Sequence, residues 1–508
     1  MPSFLGIDNG LTVTKAVLFD VDGTPISVAR RRVPQSIPKA KWVERDMVGL
    51  WHATAEAIAE AIQQSHRSAS DILGVSVTAH GDGLYLLNRY GEPVRPGILS
   101  LDSRAGDLVR MWQTDGRTQS ALALTGQVPH VSAPSVLLAW IKEHEPDHYQ
   151  DIAHVLSCKD WLRYCLCSHI GTDRTEASTS FTDVNTQQYS PEAISLYGLD
   201  RIASALPSIH NASDVVGYIT PEASRLTGLM QGTPVVTGLH DVTASALGVG
   251  GQKSNMIDIV AGTYSINEIV SDTPIVNERW FCRNGLNIGQ WNNMAISPAS
   301  AANYDWFLDT LCAADKLLAV NNGTDLHNTV AEEMQSALVN PSSLLFHPYL
   351  FGSPHGDGAS GSFLGLRAWH DRGHMLAAVM EGIAFNHRTH IEALKTAFSF
   401  DEARLTGGIS RHPVFAQLFA DILGIPVHVL NADESAAFGA VLCAGVGLGF
   451  YKHLHDDPRD LSVLETSYFP DPQRRLVYED KFQLFSQLTA RLSNAWSDIE
   501  NFAKQQDI

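Results

Sequence analysis

Near its start the chain reads FLGIDNGLTVTKAVLFD over residues 4–20. Residues 4–7 are an apolar run, residues 8–10 (Asp-Asn-Gly) have the composition of a tight turn, and residues 12–19 alternate β-branched and apolar side chains. The stretch therefore predicts a β-hairpin whose turn carries an acidic residue.

Helix and strand patterns alternate after this hairpin. Residues 46–64 have apolar side chains three and four positions apart, which predicts a helix, and residues 72–78 predict a strand. The alternation continues to about residue 250 and favours an α/β layered domain with a covered sheet. Residues 255–270, NMIDIVAGTYSINEIV, repeat the layout of the first hairpin. This repeat indicates a duplicated fold, although any two β-hairpins look alike at this level.

Composition narrows the class of protein. A chain of 508 residues is long enough for two or more domains with sizeable cores. Its 36 basic and 55 acidic residues give a net charge of −19, which disfavours nucleic acid and anionic membrane as partners. The uncharged residues 435–451 are too few for a membrane-spanning helix and predict buried core. With six cysteines, no CxxC pair and no signal-peptide pattern, the expectation is a soluble, cytoplasmic protein.

Two glycine-containing turns are candidates for phosphate binding. Residues 8–12 and 261–265 both join predicted strands, and each contains a Thr hydroxyl and a glycine that allows the backbone close to a ligand. In so acidic a chain, ATP also needs local cations, which Lys15 and a Mg²⁺ ion near Asp8 would supply. The alternative for each turn is a surface hairpin without a ligand.

Asp241 follows the predicted strand of GTPVVTGLHDVTASALGVG, residues 232–250. It opens a helix of small residues, so it is either a helix N-cap or a general base that accepts a proton from a substrate hydroxyl. In the second case, the helix dipole is expected to keep the carboxylate ionised.

A third glycine-rich joint, Thr406-Gly407-Gly408-Ile409-Ser410, leads from a strand into a helix. Because glycine has no Cβ, a flat ligand such as adenine can lie against this joint. A plain strand-to-helix connection is the alternative. Farther along, DESAAFGAVLCAG predicts a helix that packs closely on a sheet, with Glu434 as its cap or brace.

The order of these segments resembles the FGGY carbohydrate kinase family over nearly the whole chain. The resemblance includes KWVERDMVGLW, ILSLDSRA, CKDWLRYCL and EGIAFNHR, and is greatest to the L-xylulose kinase branch through TAHGDGLYLLN and SVLLAWIKEHEPD. It implies two ribonuclease-H-like domains, of the actin and hexokinase type, with an ATP cleft between them. We expect the N-terminal domain over residues 1–250 and the C-terminal domain over residues 251–508.

The resemblance also implies roles for individual residues. Asp241 is expected to be the catalytic base and, with Asp8, to help hold Mg²⁺. The ATP contacts are expected to come from Asp8, Gly10, Thr12, Lys15, Gly262, Thr263, Gly407, Gly408, Ile409 and His412. The sugar contacts are expected to come from Ala79, His80, Asp82, Asp102 and Asp241.

Several positions depart from the family pattern or have a second interpretation. Leu11 and Ile409 change the nucleotide motifs, while Gly81 argues against glycerol as the substrate. His240 stands beside Asp241, and we interpret this as an accident of position because neighbours on a strand face opposite ways. His387 and His390, with Glu381, predict a packed or solvated helix face in preference to a metal site.

The resemblance therefore implies an ATP- and Mg²⁺-dependent kinase of a ketopentose of the L-xylulose, xylulose or ribulose type. A kinase of another small polyol, such as erythritol or glycerol, is the alternative. A non-catalytic sugar sensor and a sugar-independent ATPase are the alternatives from other classes. Members of the family also lead us to expect a homodimer.

Overall fold

The computed structural model of the chain describes residues 1–339, 342–356 and 358–505. These residues form two compact units. The first consists of Met1–Gln252, Val270–Asn293 and Ala432–Val463, and the second consists of Lys253–Ile269, Met294–Asn431 and the residues from Leu464 onward. The chain therefore passes from one unit to the other several times.

The first unit is built on a sheet that contains the predicted hairpin. Its strands lie in the order Val215–Tyr218, Pro234–Val236, Ile72–Ala79, Ser3–Asn9, Val13–Asp20 and Pro25–Arg32, with Leu239–His240 also paired to Ile72–Ala79. The strand Ser3–Asn9 is antiparallel to Val13–Asp20 and parallel to Ile72–Ala79. The predicted β-hairpin and the strand predicted at residues 72–78 are therefore confirmed.

Helices cover both faces of this sheet. Met47–Ser65 packs on the hairpin with Leu5 and Ile7 in its core, while Ser435–Gly447 packs with Phe4 on the other face. The second helix comes very close, since a Cβ on Gly6 would lie 2.4 Å from the carbonyl oxygen of Ala437. Residues 437–445 are buried, as predicted for residues 435–451, whereas Gly447, Gly449 and Phe450 are exposed, so the prediction of buried core holds for only part of the segment. None of the described helices is long and apolar enough to cross a membrane.

The second unit repeats the arrangement of a hairpin followed by a parallel strand. Met256–Ala261 pairs antiparallel with Ser265–Ser271 and parallel with Glu402–Thr406, which pairs in turn with Val427–Leu430. Glu465–Tyr468 adds an antiparallel strand. The duplicated layout predicted from residues 255–270 is therefore present in the fold.

The remaining elements complete the two units. The other strands are Glu44–Arg45, Tyr85–Leu87, Gly97–Ile98, His154–Leu156, Gly171–Asp173, Ser208–His210, Phe281–Asn284, Trp291–Ser297, Leu345–His347 and Ser362–Leu364. The other α-helices are Gly106–Thr114, Arg117–Thr125, Pro134–His144, Pro146–Asp151, Cys158–Cys167, Arg174–Ala177, Pro191–Leu196, Pro221–Thr227, Asp241–Gly248, Ala301–Leu311, Ala313–Asn322, Leu326–Leu338, Arg372–Lys395, Pro413–Leu423, Leu461–Leu464 and Pro472–Gln505. The 3₁₀ turns are Ala69–Asp71, Asp200–Ala205 and Gly408–Arg411.

Candidate active site

Three neighbouring parallel strands of the first unit end at one edge of the sheet. Asp8 lies level with Thr78, and His240 lies level with Ala79. Asp241 follows His240 as the first residue of the helix Asp241–Gly248. The carboxyl edge of parallel strands is where open α/β sheets bind ligands, because helices and loops there leave a crevice. The edge therefore brings two of the predicted carboxylates together.

The turn of the first hairpin is held by charged side chains. Lys15 lies opposite Asp8 in the register, and its Nζ is 3.4 Å from Asp8 Oδ2 and 3.0 Å from Glu434 Oε2. Burial lowers the pKa of Lys15, but the two carboxylates outweigh this effect and raise it, so the ammonium stays charged. Glu434 also pairs with Arg30 and makes no side-chain capping bond. It is therefore a brace between the helix Ser435–Gly447 and the hairpin.

A buried arginine that we did not predict supports the same turn. Arg45 is 2% exposed, and its guanidinium donates to Asn9 Oδ1 and to the carbonyl oxygens of Gly10 and Leu11. These bonds fix the backbone that leads to Thr12, whose side chain is exposed. The turn is thus preformed, with Gly10 and Thr12 on it.

The sequence before Asp241 shows why its strand approaches the sheet so closely. Gly238 has a φ of +76°, and a Cβ there would lie 1.9 Å from the carbonyl oxygen of Val77. Only glycine fits both requirements without strain. The bend at Gly238 directs Leu239–His240 along the strand Ile72–Ala79 and so delivers Asp241 to the edge.

The carboxyl group of Asp241 holds its proton more tightly than expected from its position at a helix N-terminus. Burial, and next the Asp8 carboxylate, raise its pKa to about 7, although the backbone N–H groups of Val242 and Gly81 oppose the shift. The helix dipole therefore does not keep this group fully ionised at neutral pH, because burial and a like charge outweigh the dipole. The side chain remains 30% exposed.

This raised pKa predicts that the Asp241→Asn variant is more stable than the wild type at high pH. The folded protein binds the proton more tightly than the unfolded chain, whose Asp pKa is about 3.9, so the wild type loses stability as pH rises from about 4 to 7. The difference between the folded and unfolded pKa values of Asp241 corresponds to a loss of at most about 4 kcal/mol in the free energy of unfolding. Because the side chain is partly exposed, we expect a loss of about 1–2 kcal/mol.

Urea unfolding at pH 5 and pH 8 measures the effect. We expect the stabilisation by Asp241→Asn to be larger at pH 8. The exposed Asp151→Asn variant is the control and should show no such pH dependence. Equal stabilisation at both pH values would show that Asp241 is not titrating.

A second cluster surrounds Asp82, which follows the strand Ile72–Ala79. Asp82 has a φ of +57°, a conformation rarely adopted outside glycine. Its Oδ1 is 3.1 Å from Arg283 Nη2, and its Oδ2 is 3.3 Å from His130 Nε2. Burial alone would raise the pKa of Asp82, but Arg283 and His130 hold it well below the usual range. Asp82 is therefore a fixed, ionised hydrogen-bond acceptor.

Two neutral histidines lie beside Asp82. Burial and Arg45 lower the pKa of His80 to about 3, and its Nε2 is 3.3 Å from the hydroxyl of Tyr85. Burial, followed by Arg283, lowers the pKa of His240 to about 4. Both imidazoles are therefore uncharged at neutral pH and act as ordinary hydrogen-bonding groups.

His240 is closer to Asp241 than its place on a strand suggested. Its Nδ1 is 3.4 Å from Asp241 Oδ1, so the interpretation that the two face apart is wrong. The same Nδ1 accepts the N–H of Val242, which leaves no proton there to share with Asp241. A Cβ on Gly81 would lie 1.8 Å from His240 Nε2, so Gly81 provides the space that the ring fills.

Asp102 is enclosed by hydrogen bonds from neighbouring protein groups. It is fully buried, its Oδ1 accepts from Arg104 Nε at 2.9 Å, and its Oδ2 accepts from the N–H of Val43 at 2.7 Å. A carboxylate enclosed in this way has no oxygen left for a substrate hydroxyl. We therefore do not retain Asp102 as a sugar ligand, and assign it to bracing the loop around Val43.

The nucleotide motifs of the C-terminal half lie together in the second unit. Gly262 and Thr263 form the turn between the strands Met256–Ala261 and Ser265–Ser271, and Thr263 is exposed. Gly407 has a φ of +109°, and a Cβ there would lie 2.3 Å from the carbonyl oxygen of Ala261. The two glycine-containing segments are therefore in direct contact.

The residues after Gly407 differ in how much surface they offer. A Cβ on Gly408 would meet nothing within 4 Å, whereas Ile409 is only 5% exposed. His412 caps the helix Pro413–Leu423 through Nδ1, which accepts the N–H of Val414. Gly408 thus provides an open backbone face, while Ile409 packs inward.

The histidines of the helix Arg372–Lys395 have protein partners. His387 bonds to Ser265 Oγ at 3.1 Å and Ser300 Oγ at 3.0 Å, and His390 bonds to Ser297 Oγ at 2.9 Å. Glu381 pairs with Lys481. These side chains therefore hold the second unit together.

Comparison with known proteins identifies the class of protein. Residues 3–248 match the N-terminal domain of the FGGY family of carbohydrate kinases, and residues 258–448 match its C-terminal domain. The chain belongs to the FGGY family of carbohydrate kinases and has its two-domain α/β fold. It is a phosphotransferase that uses ATP and acts on a sugar hydroxyl, as the resemblance implied.

Individual relatives cover almost the entire chain. The L-xylulose/3-keto-L-gulonate kinase of Escherichia coli K12 is 32% identical over 98% of each chain. A probable L-xylulose kinase of Pasteurella multocida is 33% identical over 97% of this chain and 99% of its own. Among solved structures, a xylulose kinase from Rhodospirillum rubrum is 28% identical with a TM-score of 0.85, over 97% of this chain and 100% of its own.

Proposed function

We propose that the protein phosphorylates a ketopentose of the L-xylulose, xylulose or ribulose type with ATP, and that Asp241 is the general base. The observation that supports the base best is a partly exposed carboxyl group at the sheet edge whose pKa, about 7, is close to neutral pH. A general base is most effective when its pKa is near the working pH.

In the proposed reaction, Asp241 accepts the proton of the sugar hydroxyl while that oxygen attacks the γ-phosphorus of ATP. A new phosphorus–oxygen bond to the sugar forms as the bond to the β-phosphate oxygen breaks, and ADP leaves. The ring of His240 occupies the space over Gly81. This packing holds the backbone just before Asp241 in place.

The nucleotide is proposed to contact both phosphate turns and the adenosine segment. Gly10, Thr12 and Lys15 of the first unit, and Gly262 and Thr263 of the second, are assigned to the phosphates. Gly407, Gly408, Ile409 and His412 are assigned to the adenosine, with Gly408 giving the open backbone face.

Mg²⁺ fits the carboxylates at the edge of the first sheet. Burial raises the pKa of both Asp8 and Asp241, and the Asp8 carboxylate adds to the shift of Asp241. Mg²⁺ commonly binds through one or two carboxylates while keeping several waters. Asp8 and Asp241 would hold such an ion. When bound, it would neutralise phosphate charge during transfer.

The sugar is proposed to bind beside Ala79, His80 and Asp82. Asp82 offers an ionised acceptor fixed by Arg283, and each buried hydroxyl of a sugar needs such a partner. The names of the Escherichia coli and Pasteurella multocida relatives favour a ketopentose. Another small polyol is the second candidate, because the same acceptors suit any vicinal diol.

A coupled ADP-release assay tests this proposal. The purified protein with Mg-ATP is tested against D- and L-pentuloses, tetritols, pentitols, glycerol and a blank without sugar. We expect turnover with one or two pentuloses and none in the blank. Turnover confined to a tetritol or glycerol would favour the polyol alternative, while turnover in the blank would indicate an ATPase.

A further inference from the structure

A small cavity lies in the first unit next to Asp82. Its volume is about 40 Å³, which is room for one water molecule or one hydroxymethyl group. Leu84 and Phe181 contribute apolar walls, and Thr172 and Glu176 contribute polar groups. Of the carboxylates at the sheet edge, neither Asp8 nor Asp241 is among its lining residues.

Glu176 is the unusual group in this wall. Its side chain is buried, and its Oε1 is enclosed with no hydrogen-bond partner among the described residues. A buried polar atom without a partner costs about 1–3 kcal/mol, so an apolar residue would be more stable there. We therefore expect a ligand or a water molecule in the cavity to form a hydrogen bond with Glu176.

The cations near Glu176 form their ion pairs with other carboxylates. Lys159 Nζ lies 2.6 Å from Asp160 Oδ1 and 3.2 Å from Asp173 Oδ1, and Arg163 Nη1 lies 3.0 Å from Asp160 Oδ1. Two cations are thus balanced by two carboxylates. Burial, the largest cause, raises the pKa of Glu176 well above its usual value, and the carboxylates of Asp160, Asp173 and Asp82 add to the shift while Lys159 opposes it.

The backbone that carries Glu176 is tied to the proposed base. Asp173 caps the short helix Arg174–Ala177 by accepting the N–H groups of Thr175 and Glu176. The hydroxyl oxygen of Thr175 accepts the N–H of His240 at 3.0 Å. The distance from the Glu176 backbone to the residue before Asp241 is therefore fixed by hydrogen bonds.

We propose that Glu176 is a substrate-contacting specificity residue, whose carboxyl group binds a terminal hydroxyl of the sugar inside this cavity. The group bound there is not the phosphoryl acceptor, because the acceptor lies at Asp241. The cavity thus recognises the end of the sugar that is not phosphorylated, and its volume limits the length of the chain. This inference rests on the proposed function.

A pair of substrates tests it: the ketopentose that the wild type phosphorylates, and its deoxy analogue, in which a methyl group replaces the hydroxymethyl group at the end that is not phosphorylated. We expect Glu176→Leu to raise KM for the ketopentose about 10- to 100-fold and to leave kcat/KM for the deoxy analogue within about twofold. Glu176→Gln keeps the size of the side chain and can still hydrogen-bond a hydroxyl, so it should stay within about fivefold of the wild type on both substrates. The exposed Glu143→Leu variant is the control.

Two outcomes would overturn the inference. Equal losses on both sugars with Glu176→Leu would show a structural role or a buried water, and so would an unchanged KM for the ketopentose. If Glu176→Leu does not fold, Glu176→Asp replaces it: a side chain one methylene shorter should impair the ketopentose alone. A wild type that turns over no ketopentose refutes the proposed function before any variant is compared, so the two failures are distinct.

Discussion

The Asp241→Asn variant is expected to lose kcat by a factor of about 10²–10⁴ while still binding the sugar. Asparagine keeps the size and shape of the side chain but cannot accept the proton of the attacking hydroxyl. The structure of the edge should be unchanged, because the backbone there is set by Gly238 and by the pairing of Leu239–His240 with Ile72–Ala79. Steady-state ADP release and equilibrium sugar binding measure the two effects separately.

The pH profile separates a base from a residue that only positions the substrate. If Asp241 must be ionised, kcat/KM for the wild type decreases as the pH drops below the pKa of Asp241. This pKa is about 7 in the absence of a cation, and a bound cation lowers it. The residual activity of Asp241→Asn should lack this acidic limb. Asp151→Asn should retain both the rate and the limb. An Asp241→Asn enzyme with wild-type kcat would refute the mechanism.

The sequence predicted those parts of the fold and site that depend on local pattern. Both hairpins, the strand at residues 72–78 and the position of Asp241 after a strand follow from spacing and turn chemistry that span fewer than twenty residues. The close packing of Ser435–Gly447 also followed from its small residues. Local signals were sufficient because burial and turn geometry are short-range properties.

What the sequence did not predict depends on contacts between distant residues. Arg283 pairs with Asp82 across 201 positions, and no pattern near either residue indicates the other. The same holds for Gly81 and His240, and for the raised pKa of Asp241, which needs the position of Asp8. Asp102 is different, since Arg104 stands only two residues away and a buried Asp–Arg pair was a signal available in the sequence.

Replacing Asp8 by asparagine should lower kcat/KM about 10²-fold or more and increase the Mg²⁺ concentration required for half-maximal rate about 10- to 100-fold. Asparagine keeps an oxygen ligand but removes the charge. The decrease in kcat/KM should not result from unfolding of the first hairpin turn. Arg45 hydrogen-bonds the backbone of this turn, and Lys15 keeps Glu434 as an ion-pair partner.

Titrating Mg²⁺ at saturating ATP and sugar distinguishes this effect from a general loss of activity. Higher Mg²⁺ should restore part of the rate of Asp8→Asn, while Asp22→Asn, an exposed carboxylate in the next turn of the same sheet, should need no extra Mg²⁺. The asparagine also removes a negative charge near Asp241, so the pKa of the base falls and the acidic limb of the pH profile moves to lower pH. A slow Asp8→Asn enzyme with unaltered Mg²⁺ dependence would show that Asp8 does not hold the ion. A shift of the limb without a change in Mg²⁺ requirement would leave Asp8 as a charge that tunes the base.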